Sequence, residues 1–455
     1  MILTVIGGGS SQWMKSLMRD VYLLDEVGGG EIRLVDPKRD NVEAVARMLE
    51  TFNKVRNKDY KISVTNDRRE ALKHADFVMT TFSPGSMDAF YHDLEVPIKY
   101  GIRIPVSMTV GPPGISAALR TAPIAYEIVE DMEAMCPGAW LLNVTNPMSV
   151  VTRAMNKAAK TVKVIGLCHE FHAFPRFMEA IFGLGRPDDV DLLTYLYQWL
   201  GEQGFEYTVA GVNHYIWITQ ATWHGEDVIP RIRQYAIDHW DTKSEDTPYS
   251  ATDNHNAAKL ALCRTFGYLP IVGDRHLVEF WPSLCNARNG FGMKYDVIKT
   301  TVDARRHRVD QSREEIERIA RGEQAIDWTP SGEEMTGIMK AILTGSSVRC
   351  ILNLPNRGQI TNLPEDCVVE TLGQVSAAGA KAEPSGELPG PIGSLCRLHA
   401  DVHEMTLAAA LSGDRDLAVQ AMSLDPLSAG ADFSEIAAMT DELLLANQAW
   451  LPRFA

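Results

Sequence analysis

The stretch ILTVIGGGSSQWMKSLMRDVYLL, residues 2–24, decides the fold of this protein. Ile2 to Ile6 form a continuous apolar run with the length of a buried strand, and three glycines separate this run from a segment with helical periodicity. The predicted order is strand, glycine turn, helix. A glycine turn in this position lets backbone N–H groups face a pyrophosphate near the start of the helix.

The same alternation continues along the N-terminal third of the chain. A second strand, EIRLVD, ends in Asp36, and a helical stretch follows from Asn41 to about Lys54. The later strand-like runs are KISVT, ADFVMTTF, AWLLNVT and KVIGL. Strands that alternate with helices indicate βαβ units and a parallel sheet. We therefore predict an α/β protein in which residues 1–167 form a Rossmann-like, doubly wound, NAD-binding domain.

The rest of the chain predicts a different architecture. Glu206 to Gln220 has the composition of one strand, and long helical patterns run through about residues 300–345. The segment from Ala377 to Gly393 is rich in Gly, Pro and Ala, which predicts an irregular loop, and a helical tail extends to Leu445. Residues 168–455 are predicted to form a C-terminal α+β domain with long helices.

Composition excludes several classes of partner. The formal net charge is −15, from 59 acidic and 44 basic side chains, which argues against binding to nucleic acid. No apolar run approaches the ~20 residues of a membrane span, and the N-terminus lacks the pattern of a signal peptide. The 7 cysteines form no CxxC pair, which is typical of a reducing compartment. We expect a cytoplasmic protein without membrane or nucleic-acid partners.

The predicted dinucleotide site consists of Gly7, Gly8, Gly9, Ser10 and Asp36. An acidic residue at the end of the second strand suits a hydrogen bond to the adenosine ribose. It would also repel a 2′-phosphate, so NAD is favoured over NADP, although basic residues follow closely at 38 and 39. The third glycine position of the fingerprint is occupied by a glutamine, residue 12, which departs from the usual pattern.

A second unusual stretch, VIGLCHEFHAF at 164–174, ends an apolar run in a thiol, an imidazole and a carboxylate. Five segments, in this order, resemble glycoside hydrolase family 4, the NAD- and manganese-dependent glycosidases: TNPMSV at 145–150, GLCHEF at 166–171, VAGVNHYIW at 209–217, GYLPIVGDRHLVEF at 267–280 and NLPNRGQITNLPEDCVVE at 353–370. Four pieces are most similar to the alpha-galacturonidase branch, namely DLEVPIKYGI, TVGPPGISAALRT, CHE and GDRHLVEF.

The resemblance implies cleavage of an alpha-linked uronide, in the first place a galacturonide. The implied route is oxidation at C3, deprotonation at C2, elimination of the glycosidic oxygen, addition of water and re-reduction. An alpha-glucuronidase and a neutral alpha-galactosidase or alpha-glucosidase of the same family are alternatives. The dinucleotide pattern alone also fits an NAD-dependent 2-hydroxyacid dehydrogenase or a non-catalytic NAD sensor. Relatives are commonly homodimers or homotetramers, and we expect the same here.

The resemblance assigns the binding of substrate and metal, and oligomerisation, to residues 168–455. It also implies roles for individual residues. Cys168 and His214 would be the protein ligands of Mn²⁺ or of another divalent metal, leaving open positions for sugar oxygens. His169 is the candidate acid for the leaving oxygen, because an imidazole titrates near the operating pH. Asp274 is the candidate C2 base, and Tyr268 is the alternative.

The predicted substrate-binding residues are Asn146, Glu170, Arg275, His276 and Arg357. Asn146 would contact sugar hydroxyls, and the arginines offer the bidentate geometry that suits a uronate carboxylate. The ordinary structural alternatives are a turn at the end of a strand for Asn146 and a solvated surface charge for either arginine.

Two departures from relatives concern the substrate. The phosphosugar branch usually carries an arginine soon after the third strand, where this chain has SPGSMDAF, so a 6-phosphoglycoside is disfavoured. Relatives usually place an acidic residue just before the TVGPPG-like loop, where this chain has Met108.

Overall fold

The computed structural model describes residues 1–240 and 256–454. Within those ranges the strands form one thirteen-stranded sheet. The strands are β1 (Ile2–Ile6), β2 (Gly29–Val35), β3 (Asp59–Thr65), β4 (Phe77–Thr80), β5 (Trp140–Asn143), β6 (Lys163–Gly166), β7 (Phe205–Val212), β8 (Tyr215–Trp223), β9 (Glu226–Asp227), β10 (Leu269–Pro270), β11 (Ser347–Pro355), β12 (Val368–Ser376) and β13 (Gly379–Ala382).

The N-terminal part of this sheet is parallel and has the order β3-β2-β1-β4-β5-β6. This is the strand order of a dinucleotide-binding sheet, and it reverses direction between β1 and β4, where such sheets bind their ligands. Val5 and Leu3 of β1 are fully buried, as expected for strands covered by helices on both faces. The predicted α/β fold class is confirmed.

Helices cover both faces of the sheet. They are α1 (Met14–Tyr22), α2 (Arg39–Arg56), α3 (Arg68–Leu72), α4 (Ser86–Lys99), α5 (Gly111–Met135), α6 (Met148–Ala158), α7 (Phe174–Phe182), α8 (Leu192–Thr194), α9 (Leu200–Glu202), α10 (Ile229–His239), α11 (Ala257–Phe266), α12 (Asp274–Leu277), α13 (Val302–Ala320), α14 (Glu334–Thr344), α15 (Gly390–Ser412), α16 (Arg415–Leu424) and α17 (Phe433–Ala446). The predicted helical region near 300–345 is thus α13 and α14, and the helical tail is α15, α16 and α17.

The other part of the sheet is antiparallel and runs in the order β10-β8-β7-β12-β11, with β11 beside β6. The prediction of one strand over Glu206–Gln220 is wrong, because β7 and β8 form a hairpin whose turn is Asn213–His214. His214 has a φ of 63°, in the left-handed region that a tight reversal requires. The apolar residues on both sides of this turn conceal it in the sequence.

The segment from Ala377 to Gly393 is also more ordered than predicted. Gly379 to Ala382 form β13, which pairs with β12, and α15 already begins at Gly390. Pairing with a neighbouring strand supplies backbone hydrogen bonds that composition does not reveal. The predicted loop is therefore correct for the turn at Ala377 and Ala378 and for the residues between β13 and α15.

The predicted division at residue 167 falls just after β6, where the parallel part of the sheet ends, and it stays a prediction. All seven cysteines lie among the described residues as buried free thiols. Over residues 1–240 and 256–454, no helix is both long and apolar enough to span a membrane.

Candidate active site

The glycine turn closes tightly around the end of β1. The N–H groups of Gly7 and Gly8 both donate to the carbonyl oxygen of Val35 at the end of β2, over 2.9 and 3.0 Å. Gly7 has a φ of 90°, and a Cβ at this position would lie 2.2 Å from the carbonyl oxygen of Thr81, which follows β4. Only glycine meets both requirements at the point where β1 and β4 diverge.

Asp36 lies directly over this turn. Its Oδ2 accepts the N–H of Gly9 over 3.0 Å, and its Oδ1 accepts the N–H of Lys38 over 2.8 Å. Ser10 continues the turn, since its N–H donates to the carbonyl of Gly7. Because α1 begins only at Met14, the dinucleotide residues form a turn ahead of the helix. The five predicted residues are therefore brought together.

The second group of candidates lies at the same edge of the sheet. Gly166 of β6 is in register with Asn353 of β11, Asn353 with Glu370 of β12, and Glu370 with Gly211 of β7. This row across four strands aligns the segment that follows β6, which carries Cys168, with the turn that follows β7, which carries His214. Residues 46 positions apart are placed at one edge by this register.

The Cys168 side chain is buried in an acidic environment. Burial raises the pKa of the thiol well above its ordinary value, and the carboxylates of Glu370 and Glu170 raise it further. The amide of Asn213 acts in the opposite direction, and it also donates to Glu370 over 3.1 Å. The free thiol therefore retains its proton, which a bound metal cation would replace.

His214 is a neutral imidazole with one nitrogen already engaged. Burial lowers its pKa well below the ordinary value, and the nearby His276 contributes to this shift. The two rings stack with their centroids 4.0 Å apart. Nδ1 lies 2.6 Å from Oγ1 of Thr109, and this contact orients the ring so that Nε2 remains for a metal.

These residues fit a catalytic rather than a closed metal site. Among the residues of the described ranges, no group of three or more His, Cys, Asp or Glu side chains is arranged to hold a metal. A thiolate from Cys168 and a neutral imidazole from His214 are both suitable donors for a divalent ion. Two protein ligands would leave coordination positions open to substrate oxygens.

His169 connects the two regions. Its ring centroid lies 5.7 Å from that of Trp13, which precedes α1, and its Nδ1 lies 3.3 Å from Oε1 of Glu333. Burial by itself lowers the pKa of His169, but the interaction with Glu333 outweighs it and raises the pKa to about 9. The imidazole therefore carries a proton at neutral pH and has the form of an acid.

Glu170 and His276 form a pair beside His214. Oε2 of Glu170 accepts the N–H of Gly273 over 2.7 Å, and Oε1 lies 3.6 Å from Nε2 of His276. Burial raises the pKa of Glu170, but the nearby histidines, His214 first, lower it overall. Burial and Arg275 lower the pKa of His276 to about 3. A charged carboxylate therefore lies against a neutral imidazole.

Asp274 occupies a structural position. Its side chain is fully buried, Oδ2 accepts the N–H of Ala258 over 2.8 Å, and Oδ1 accepts that of Lys259 over 3.1 Å. These N–H groups lie in the first turn of α11, so the carboxylate caps that helix. Tyr268, by contrast, is half-buried and makes no side-chain hydrogen bond within the part of the chain described here.

Two of the predicted substrate residues have local partners. Oδ1 of Asn146 accepts the N–H of Met148 over 3.2 Å, which is the turn expected at a strand end, although the residue does lie at the carboxyl end of β5. The Arg357 side chain is 64% exposed and pairs with Asp366 and Glu365. The structure does not bring Arg357 to the other candidates.

Several residues at the site carried little signal in the sequence. Glu370 is the residue that the sequence did mark, because a carboxylate inside the buried run of β12 is unusual. Asn213 lies beside His214 and could have been found from that adjacency. Thr109 and Glu333 come from loops remote in sequence, and no sequence pattern indicated that they would contact the two histidines.

Fold and site together place a glycine turn at the point where the parallel strand order reverses, with a buried thiol and a buried imidazole at the same edge of the sheet. Two family models match the chain: "Family 4 glycosyl hydrolase" over residues 2–184 and "Family 4 glycosyl hydrolase C-terminal domain" over residues 209–428. The chain belongs to family 4 of the glycosyl hydrolases and is a glycosidase. The family resemblance seen in the sequence is thereby confirmed.

Individual relatives match over almost the entire chain. An alpha-galacturonidase of Lachnoclostridium phytofermentans is 30% identical, with 99% of this chain and 97% of the relative covered. An alpha-galactosidase of Bacillus subtilis is also 30% identical, with 99% of each covered. Both relatives support membership of the family, but they are named for different sugars, galacturonide and galactoside.

Two solved structures share the fold. The Bacillus subtilis protein lplD superposes with a TM-score of 0.86 at 28% identity, covering 98% of this chain and 100% of that one. The 6-phospho-beta glucosidase of Thermotoga maritima, solved with manganese, NAD⁺ and glucose-6-phosphate, superposes with a TM-score of 0.76 at 21% identity, covering 99% of each. At this level of identity the second comparison supports the fold alone.

Proposed function

We propose that this protein is an NAD- and manganese-dependent glycosidase that cleaves an alpha-linked galacturonide. The observation that carries the proposal is the arrangement of Cys168, His169 and His214 beside the glycine turn, in a family 4 chain. The 30% sequence identity with an alpha-galacturonidase supports the choice of galacturonide as the sugar. The proposed route is the one implied by the family resemblance: oxidation at C3, loss of the C2 proton, elimination, addition of water and re-reduction.

The cofactors have distinct places. The turn of Gly7, Gly8 and Gly9 with Asp36 would hold NAD, and Cys168 with His214 would hold the metal. Bound NAD would supply hydride transfer at C3, and the metal would polarise the C2 and C3 oxygens. A relative of the same fold was solved with manganese and NAD⁺, which supports this pair.

His169 is the proposed acid for elimination. His169 follows Cys168 directly in the chain and its ring lies 5.7 Å from that of Trp13, which supports a position between the dinucleotide turn and the proposed metal ligands. It would donate its proton to the glycosidic oxygen as the bond to C1 breaks, and Glu333 would hold the resulting ring in place. Glu170 and His276 lie beside His214, which supports a role for both in contacting sugar hydroxyls.

For the C2 base, the contacts favour Tyr268 over Asp274. Both carboxylate oxygens of Asp274 accept backbone N–H groups of α11, and this capping role opposes proton abstraction. Asp274→Asn and Tyr268→Phe separate the two candidates, with exchange of C2 deuterium into water as the measurement. We expect Tyr268→Phe to abolish exchange. Loss of exchange only in a stably folded Asp274→Asn enzyme would restore Asp274 as the base.

The deciding experiment measures release of para-nitrophenol from the para-nitrophenyl alpha-galacturonide. The alpha-glucuronide, alpha-galactoside and alpha-glucoside are measured in parallel, each with and without NAD, manganese and reductant. We expect activity that requires NAD and manganese and is highest on the galacturonide. A reductant requirement is expected because a thiolate ligand is sensitive to oxidation.

The alternatives give different results in the same assay. Preference for the galactoside or glucoside would identify a neutral glycosidase of the family, a reading favoured by the alpha-galactosidase relative. Net accumulation of NADH with a 2-hydroxyacid and no glycoside cleavage would identify a dehydrogenase. Tight NAD binding without turnover of any substrate would identify a sensor.

A further inference from the structure

Two pairs of consecutive residues connect the metal-ligand region to two neighbouring arginines, Arg275 and Arg305. Thr109 contacts His214, and its neighbour Met108 contacts Arg305, whose Nη1 lies 3.2 Å from the Met108 sulfur. His276 stacks on His214, and the neighbouring residue is Arg275. Consecutive Cα atoms are only about 4 Å apart. Since Met108 is next to Thr109 in the chain, and Arg275 is next to His276, both arginines lie close to His214.

Arg305 is a cation with few partners. Its Nη2 donates to the carbonyl of Val106 over 2.8 Å and Nη1 contacts the thioether of Met108, while Nε is buried and has no hydrogen-bond partner among the described residues. Its guanidinium carbon lies 4.3 Å from the centre of the Phe90 ring, so one face is covered. Within residues 1–240 and 256–454, no carboxylate forms an ion pair with Arg305.

The local charge is also unbalanced. Burial and repulsion from Arg275 and Arg308 lower the pKa of Arg305 to about 9. The nearby carboxylate of Glu279 accepts the N–H groups of Val106 and Ser107 with one oxygen. Burial raises the Glu279 pKa to about 7, so at neutral pH it compensates only part of the positive charge.

We propose that Arg305, with Arg275, binds the carboxylate of the uronide and selects it over the neutral sugar. This inference rests on the proposed glycosidase function. Arg305 contributes the charge and donors that lack a carboxylate partner, and Met108 leaves them available because a thioether is only a weak acceptor. In the proposed binding mode, a sugar whose C2 and C3 oxygens lie near Cys168 and His214 would present its C6 group to Arg275 and Arg305.

The chemistry favours a carboxylate over a phosphate. The Phe90 ring covers one face of the Arg305 guanidinium, and Nη2 already donates to Val106, so little of the group remains accessible. The remaining surface suits a small planar anion with two acceptor oxygens. A phosphate ester would bring a larger, tetrahedral and more highly charged group. The 6-phosphogalactoside is therefore a separate arm of the test.

The test compares Arg305→Gln with a matched control on the same helix. Arg306 is the next residue of α13, its side chain is 47% exposed, and it contacts only Asp88 among the ion pairs of the described chain. Arg306→Gln therefore removes one positive charge without altering the contacts of Arg275 or Arg305. Each enzyme is assayed with NAD and manganese on the galacturonide, the galactoside and the 6-phosphogalactoside, and thermal unfolding is recorded.

We expect Arg305→Gln to raise KM for the galacturonide about tenfold or more, the loss of one charged hydrogen bond, with little change for the galactoside. Arg306→Gln should resemble wild type on every substrate. Met108→Asp should also weaken binding of the galacturonide, because the new carboxylate would pair with Arg305. Met108→Leu should leave this binding unchanged. An unchanged ratio of galacturonide to galactoside efficiency in Arg305→Gln and Met108→Asp would overturn the inference.

Calorimetry on the enzyme with NAD and manganese separates this inference from the proposed function. Galacturonate and galactose are titrated as ligands into wild type and Arg305→Gln. If no glycoside is cleaved but galacturonate binds through Arg305, the function fails and the carboxylate site stands. If neutral glycosides alone are cleaved, or the 6-phosphogalactoside is preferred, the site fails and the family chemistry stands. Absence of both cleavage and galacturonate binding rejects the two together.

Discussion

The glycine turn after β1 and the thiol–imidazole cluster after β6 lie at the same edge of one sheet but are built in opposite ways. The turn consists of backbone groups and one carboxylate, all within residues 7–36. The cluster consists of side chains from the end of β6, the β7–β8 turn, α12 and the loops that carry Thr109 and Glu333. Backbone contacts among the ends of three adjacent strands define the first, and side chains from distant segments define the second.

This difference has consequences for how each region fails. The turn is sensitive to any added Cβ, because its atoms already touch the neighbouring strand end. The cluster is sensitive to the identity of functional groups, because its function depends on donors and charges rather than on space. Substitutions that distinguish shape from chemistry should therefore affect the two regions differently.

The largest effect is expected from Cys168→Ser. A hydroxyl replaces the thiolate donor at nearly the same size, so the fold persists while metal affinity is lost. We expect glycosidase activity to fall more than about 100-fold, beyond the loss caused by removing a supporting residue, with NAD binding retained. Manganese titration of the activity is the measurement. Cys263→Ser is the control, because this thiol is also buried but lies against the carbonyl of Ile232 in α10, and equal losses in both would remove Cys168 from the site.

Gly7→Ala tests the turn. The new Cβ would lie 2.2 Å from the Thr81 carbonyl, and the φ of 90° is unfavourable for alanine. We expect a loss of about 1–3 kcal/mol in the free energy of unfolding, together with weaker NAD binding. Urea unfolding and NAD titration measure both effects. Gly28→Ala is the matched control, because no atom lies within 4 Å of its added Cβ. Unchanged NAD affinity in Gly7→Ala would contradict the proposed dinucleotide site.

Thr109→Val should have a smaller effect, confined to the cluster. It preserves shape but removes the oxygen that lies 2.6 Å from Nδ1 of His214. Loss of such an orienting contact typically costs 10–100-fold in metal affinity, and we expect about 10-fold here. The measurement is the manganese concentration required for half-maximal activity. An unchanged manganese requirement together with weaker NAD binding would show that Thr109 supports the glycine turn and not the cluster.

The smallest effect is expected from Arg357→Ala. Its side chain is 64% exposed and paired with surface carboxylates, so it lies outside both regions. Exposed ion pairs contribute about 0–1 kcal/mol, and activity should change by less than about twofold. Kinetics on the galacturonide check this. A KM effect comparable with that of Arg305→Gln would move the carboxylate site toward Arg357.

Chemical candidates were easier to predict than their roles. The apolar runs, the glycines and Asp36 predicted the parallel sheet and its turn, because strands buried on both faces have a continuous apolar composition. Cys168 and His214 were found from the family resemblance. The capping role of Asp274 could not be predicted, because α11 precedes Asp274 in the chain and its contact with the carboxylate is tertiary. Arg305 lies in a run of charges typical of a solvated helix face.

The sequence by itself determined the alternation of strands and helices, the dinucleotide turn and the reactive groups available to the site. Those features depend on neighbouring residues, and local sterics and hydrophobicity are sufficient to specify them. The tertiary structure alone decided the reversal at Asn213–His214, the row that aligns β6, β11, β12 and β7, and the contacts of Arg305 with Met108 and Val106. Each of these depends on strand pairing or side-chain contact between distant segments, which a one-dimensional pattern does not encode.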